Sequence, residues 1–346
     1  MASLTQTERW KNRHESSASR RRPHLYSIRV SWDRMTVAAG VALFLLGIQT
    51  LAEDLRFESI RLPALRINGQ AARAHTQGLE VLGGMYYVTA RRDDVFPKQA
   101  LLLRTAAGRT DWDVWDITPM AAGEAGTALD HPGGFQSDGN RLWIPLAESK
   151  RKGRSVIRVF PLTGLVPGQP LQAESEIPVH DHIGAVAVSV GQGFVLGANW
   201  DTEAVYVWDL RGRLQRTLDG PELESRGLGA VRDSGSRAGL AVQDWKMIGD
   251  RLFASGLRRV PGAMTASSEG QLLSLVGFLE RGFQGRSVVL PKPGEVELAR
   301  EGMAVSDGLV SYLPADLGAS NQVFRASIMD LMKSGTSYPS GASRRP

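Results

Sequence analysis

A short phrase recurs five times along this 346-residue chain, and it constrains the fold more than any other feature. Each copy runs from a small or polar residue through a short strand and a Gly/Asp/Asn turn into an apolar, aromatic strand. The copies are HTQGLEVLGGMYYVTA from His75, HPGGFQSDGNRLWIPL from His131, HIGAVAVSVGQGFVLGA from His182, VQDWKMIGDRLFASG from Val242 and REGMAVSDGLVSYLPA from Arg300. Anchored on Gly78, Gly134, Gly184, Asp244 and Gly302, they lie 56, 50, 60 and 58 residues apart. A near-constant period of this size marks a repeat architecture, and four strands per period mark a propeller blade. The expected fold is all-β, a β-propeller.

The other strands of each period are also visible. Third-strand candidates are ALLLRTAAG from Ala100, VIRVFPLTG from Val156, AVYVWDLRG from Ala204, LLSLVGFLERG from Leu272 and QVFRASIMDL from Gln322. AVYVWDLRGRLQRTL reads as a hairpin turning at Arg211-Gly212. The last period lacks a fourth strand. FESIRLPAL, residues 57–65, alternates apolar and polar side chains and is expected to complete the last blade, closing the ring and protecting its edges. Five blades over residues 53–333 are favoured. A sixth stays open only if residues 217–241 hide one, and that Gly-rich, charged segment reads as a loop. Residues 334–346 are small and polar and read as a disordered tail.

Composition is ordinary for a globular protein, with 42% hydrophobic and 22% charged residues. The net charge of +5 belongs to the first 52 residues, which hold eight Lys/Arg against three acids and leave 33 of each sign downstream. A neutral globular part excludes electrostatic recognition of nucleic acid or of anionic membrane surfaces. Behind the basic leader, Val37–Ile48 is apolar but shorter than the ~20 residues of a membrane span. It has the length of a signal-peptide core, with Thr50-Leu51-Ala52 as a cleavage site, so residues 1–52 point to export. A retained N-terminal anchor is the second reading. The absence of cysteine excludes disulfides and thiolate chemistry. A periplasmic or extracellular monomer is the expectation.

His75, His131 and His182 each stand two or three residues before an anchor glycine, and Gln243, Asp244 and Glu301 hold the matching positions of the last two copies. Inner strands of a propeller start near one axis, so these six residues are expected to converge as a ligand-binding funnel. Three imidazoles with a carboxylate (His75, His131, His182, Glu301) also suit a divalent metal, and imidazole with carboxylate suits acid–base chemistry. Side-chain direction alternates along a strand, so polar funnel residues without any ligand are the competing reading. Trp143, Trp200, Trp245 and Tyr86 lie nearby, available either to stack on a flat ligand or to pack between blades. Asp138-Gly139-Asn140 and Asp307-Gly308 resemble pieces of calcium loops but have the composition of tight turns. No Gly-x-Ser-x-Gly, phosphate loop or His-Glu-x-x-His motif is present.

HPGGFQSDGNRLWIPLAES, HIGAVAVS, VQDWK and EGM resemble an uncharacterised family of bacterial exported propeller proteins. The resemblance covers most of the chain after the leader and implies the fold without an activity. More distantly the layout resembles gluconolactonase, strictosidine-synthase and phytase-like propellers, which implies a site on the ring axis. The histidine-rich set departs from their acidic and amide ligands. The functional expectation is an exported propeller binding a small ligand in its funnel, with or without a divalent metal. A hydrolase or lyase using the same residues, or a non-catalytic interaction platform in the cell envelope, are the alternatives.

Overall fold

The computed structural model describes residues 56–119, 128–229, 239–259 and 268–338. The leader and residues 339–346 lie outside the described residues. The chain enters through β1 (Glu58–Leu62) and a small hairpin, β2 (Arg66–Ile67) and β3 (Gln70–Ala71). Blade one is β4 (His75–Leu82), β5 (Met85–Arg92), β6 (Gln99–Ala106) and β7 (Asp113–Asp116). Blade two is β8 (His131–Pro132), β9 (Gln136–Ser137), β10 (Arg141–Ala147), β11 (Ser155–Pro161) and β12 (Ser175–Val179), with β8 and β9 sharing the innermost position. Blade three is β13 (Ile183–Ser189), β14 (Phe194–Asn199), β15 (Ala204–Asp209) and β16 (Leu214–Asp219). Blade four is β17 (Leu240–Ile248), β18 (Arg251–Arg259), β19 (Ser268–Val276) and β20 (Gln284–Val289). Blade five is β21 (Gly302–Ser306), β22 (Leu309–Leu313) and β23 (Asn321–Ser327), with β1 paired antiparallel to β23 as its outer strand. The protein is a five-bladed β-propeller closed by its N-terminal strand.

Local chemistry explains the turns. Asp138 accepts hydrogen bonds from the Asn140 and Arg141 amides at 3.0 and 2.8 Å and from the Trp143 indole at 3.0 Å. Its carboxylate is thus committed to the β9–β10 turn, as an Asx turn requires. One expectation needs correction. Thr336–Tyr338, in the segment read as a disordered tail, forms a strand, β24, on the outer edge of β20. Composition gave no sign of it, because three edge residues need only backbone partners and these bring no apolar pattern of their own. Among the described residues no helix is long and apolar enough to cross a membrane.

The apolar core is divided among the seams between blades. Phe135, Leu142 and Leu146 of blade two meet Tyr87, Leu102 and Trp115 of blade one. Trp143 and Ile157 meet Val186 and Trp208 of blade three, and Trp245 meets Ala187 and Leu196. Met303 and Tyr312 meet Phe253 and Leu272. Leu79 and Val88 meet Ala304 and Val323 where the ring closes. Trp143, Trp245 and Tyr86 are therefore packing residues.

The anchor positions form one layer around the axis, and their identities follow from crowding. The Gly134 amide donates to Gly184 O at 2.9 Å, and Gly134 O accepts from the Val186 amide at 2.8 Å. A Cβ on Gly134 would stand 2.7 Å from both Asp244 Oδ1 and Gln243 O. One on Gly302 would stand 2.7 Å from Leu79 N. Such distances leave no room for a side chain. Asp244 is the exception, and its carboxylate occupies the space its neighbours leave. One oxygen accepts from the Leu79 and Met303 amides at 3.1 and 3.0 Å, reaching blades one and five. The other accepts from the Trp245 amide at 2.9 Å and from Lys246 Nζ at 2.6 Å. Lys246 also donates to Phe135 O in blade two. Gln136 completes the plug by accepting from the Val188 and Met247 amides at 3.0 and 2.8 Å and donating to Met247 O at 2.7 Å. Burial pushes the Asp244 carboxyl up to about 6, against Lys246 and the hydrogen bonds that favour its anion.

Removing one partner of a buried ion pair leaves the other uncompensated. Lys246→Met is expected to lower unfolding free energy by ~3–5 kcal/mol, measured from urea denaturation midpoints. A loss near zero would show that Asp244 does not need its cation.

Candidate functional site at the axial mouth

Above the plug, strand starts and hairpin ends share one face. An antiparallel pair sets the first residue of an inner strand opposite the last residues of the second strand, as in His75 with Arg91 and His131 with Ala147. The loops after the second strands therefore reach the same mouth as the predicted residues. His131 lies beside Arg91 and Ser149, and His182 beside Trp200. The ring centroids of His131 and His182 are 5.2 Å apart, edge to face, and that of Trp200 is 4.6 Å from His182 and 6.5 Å from His131. Trp200 is half-buried, unlike the tryptophans in the seams.

Hydrogen bonding assigns the two imidazoles opposite tautomers. Arg91 Nη1 stands 2.7 Å from His131 Nδ1. A guanidinium only donates, so Nδ1 accepts and the ring proton sits on Nε2. His182 Nδ1 faces Glu148 O at 2.8 Å and Lys150 O at 3.2 Å. Carbonyls only accept, so Nδ1 carries the proton and Nε2 keeps its lone pair. Burial, with His182 and Arg91 adding to it, pushes His131 down to about 3. Burial also lowers His182, its carbonyl partners opposing. At neutral pH the pair is uncharged, which leaves an N–H donor on half-buried His131 and a nitrogen acceptor on His182, 3% exposed. Ser149 Oγ donates to Asp130 Oδ1 at 3.0 Å and receives a bond from Arg91 at 2.8 Å. The carboxylate holds the hydroxyl and not the imidazole, so the group is not a nucleophile–base–carboxylate relay.

The opposite side of the mouth is acidic. His75 Nδ1 lies 2.6 Å from Asp316 Oδ1. Glu301, 6% exposed, brings its carboxyl into the same group, with one ligand atom from each of the three residues within 4.8 Å of the others. Burial raises the Glu301 carboxyl to about 8, Arg300 opposing and Asp316 adding to the rise. The six predicted residues thus divide. His75 and Glu301 meet, joined by Asp316. His131 and His182 meet, joined by Arg91 and Trp200. Gln243 is the half-buried bulge residue of β17, and Asp244 is the hub. The four residues expected as one metal set fall into two pairs with different neighbours. Two cavities, a groove of about 520 Å³ beside Trp112 and a pocket of about 160 Å³ beside Phe278, contain none of the six.

The fold defines a five-bladed propeller with polar residues gathered where its inner strands begin. The chain belongs to a family of unknown function, DUF6454, whose pattern matches residues 37–278. No curated protein matches it. Among solved structures it is similar to an exo-β-1,3-galactanase from Phanerochaete chrysosporium, at 10% identity and TM-score 0.47, over 82% of this chain and 70% of that one. It is also similar to a putative glycoside hydrolase from Bacteroides ovatus, at 8% identity and TM-score 0.47, over 82% and 96% of the two chains. An α-L-arabinofuranosidase from Podospora anserina matches at 8% identity and TM-score 0.42, over 79% and 96%. At these values none of the three bears on what this chain does.

The state of His131 is measurable. Its folded pKa of about 3 lies below its ordinary 6.5, so the unfolded chain takes up this proton first as pH falls. Stability is then lost from about pH 6.5 downward, with the loss complete near pH 3. In His131→Gln this contribution disappears, and the urea midpoint should fall less steeply between pH 7 and pH 4 than in the wild type. Equal slopes would mean that His131 titrates normally.

Proposed function

We propose that this protein is an exported propeller that binds a small, uncharged, hydroxyl-bearing molecule in the axial mouth. The observation that carries the reading is the fixed, complementary pair of neutral imidazoles. His131 offers a donor and His182 an acceptor, which together match a hydroxyl group, a donor and acceptor at once. Trp200 beside them supplies an aromatic surface for the carbon skeleton of such a molecule. Next to them in the fold, Asp244, Lys246 and Gln136 are buried and bonded across the inner strands. A few converging polar groups beside an aromatic surface are common features of a small-molecule site. The distant resemblance to gluconolactonase, strictosidine-synthase and phytase-like propellers adds only the axial position. Export rests on the basic leader and the apolar segment Val37–Ile48, and the monomeric state on closure of the ring within one chain.

Calorimetric screening of the purified protein against monosaccharides, polyols and sugar lactones tests the ligand. A saturable ligand is expected whose affinity falls at least tenfold in His131→Ala and in Trp200→Ala, with the fold retained by circular dichroism. Binding that survives both substitutions would place the site elsewhere, and a screen without any saturable ligand would count against this ligand class. Export is checked by cell fractionation, where a cytoplasmic protein would contradict it.

A further inference from the structure

We propose that His75, Glu301 and Asp316 form a site for a divalent transition-metal ion at the seam between blades one and five. Three observations carry this, and none depends on the mouth taking an organic ligand. The first is convergence. The three side chains come from two blades more than two hundred residues apart in sequence, yet one ligand atom from each lies within 4.8 Å of the others. Ligand atoms on a metal at ~2.1 Å lie ~3.4 Å apart in a tetrahedron. Side-chain adjustments on the order of an ångström would bring the set to that spacing.

The second is that Glu301 lacks a donor. It is more than nine-tenths buried, and among the described residues no hydrogen bond reaches its carboxyl. Arg300 Nε approaches Oε1 only as an ion-pair contact at 3.5 Å. A largely buried carboxyl with no protein donor is costly to keep ionised, and a cation held in common with His75 and Asp316 would offset that cost. The third is that the backbone holds the ligands in place. The Ala74 amide donates to Leu317 O at 3.1 Å, and the Leu317 amide donates to Ala74 O at 2.9 Å. Thr76 Oγ1 donates to Ala315 O at 2.8 Å. These bonds flank His75 at the start of β4 and Asp316 in the loop after β22, so the pair stays in register without any bound ion.

The donor set selects the metal. One imidazole nitrogen with two carboxylate oxygens suits zinc, manganese or iron(II); calcium and magnesium prefer oxygen alone. Three protein ligands leave at least one coordination position open, as in reactive metal sites and unlike closed structural ones. Bound there, the ion would also cross-link the first and last blades.

The test uses the full chain, freed of metal with a chelator and titrated with Zn²⁺, Mn²⁺, Mg²⁺ or Ca²⁺ by calorimetry and thermal unfolding. One saturable site for Zn²⁺ or Mn²⁺ is expected. At a hundredfold excess over its Kd the melting temperature should rise by ~5 °C or more. Mg²⁺ and Ca²⁺ should bind at least tenfold more weakly. Asp316→Asn, on an exposed loop and able to keep its bond to His75, should lose at least tenfold in affinity while its metal-free melting temperature stays unchanged. His75→Ala and Glu301→Gln should do the same to binding. No saturable Zn²⁺ or Mn²⁺ binding by the folded protein would overturn the proposal. So would binding that survives all three substitutions, or binding abolished by His131→Ala and not by Asp316→Asn.

Discussion

The ring depends on the Asp244 carboxylate. Five inner strands meet where four anchor positions are glycine, and at Gly134 and Gly302 neighbouring chain would collide with any side chain. Four small residues alone would leave backbone amides at the axis without acceptors, and buried unpaired amides are costly. Asp244 supplies the acceptors. Its two oxygens take amides of blades one, four and five, and Lys246 carries the connection to blade two through Phe135 O. Gln136 links blades two, three and four. All five blades are thus tied through three side chains. Burying a charged pair gives little net stability. Its use here is to fix how the blades stand about the axis, which apolar seams alone specify weakly, because apolar packing is non-directional.

The plug also decides the character of the mouth. With the axis filled at the anchor layer, whatever enters from the strand-start face meets a floor. Around that floor the polarity is divided. Blades one and five bring His75, Glu301 and Asp316; blades two and three bring two imidazoles kept neutral by burial. The division follows from local partners. His131 receives an Arg91 hydrogen bond, whereas the partner of His75 is the Asp316 carboxylate.

Much of this was legible in the sequence. The period, the blade number and the closing strand all follow from alternation, turn residues and anchor spacing, because these are local and repeat. The convergence of His75 with Glu301 and of His131 with His182 follows from the same register. Asp316, Arg91 and Lys246 were not legible. Asp316 and Arg91 sit at or beyond second-strand ends, where no repeated phrase marks them; only the pairing of strand starts with hairpin ends brings them to the mouth. Lys246 lies within an apolar strand and reads as an outward charge until its carboxylate partner is seen. Asp244 was visible as the anchor that breaks the glycine pattern. Its role needs the three-dimensional fact that its neighbours leave exactly one side chain's space.

Closure occurs twice, at different radii. At the rim, β1 runs antiparallel to β23 from Glu58 opposite Arg325 to Leu62 opposite Asn321. Near the axis, Ala74 and Leu317 exchange backbone hydrogen bonds. The first closure ties the chain's ends by a strand; the second sets the distance between His75 and Asp316. In a chain without cysteine no covalent link can do either. A seam that joins residues far apart in sequence and holds by non-covalent contacts is where an added interaction helps keep the ring shut. It is also where residues far apart in sequence are held at fixed separation, which any multidentate site requires. Stability and binding therefore favour the same seam, and the acidic half of the mouth lies there.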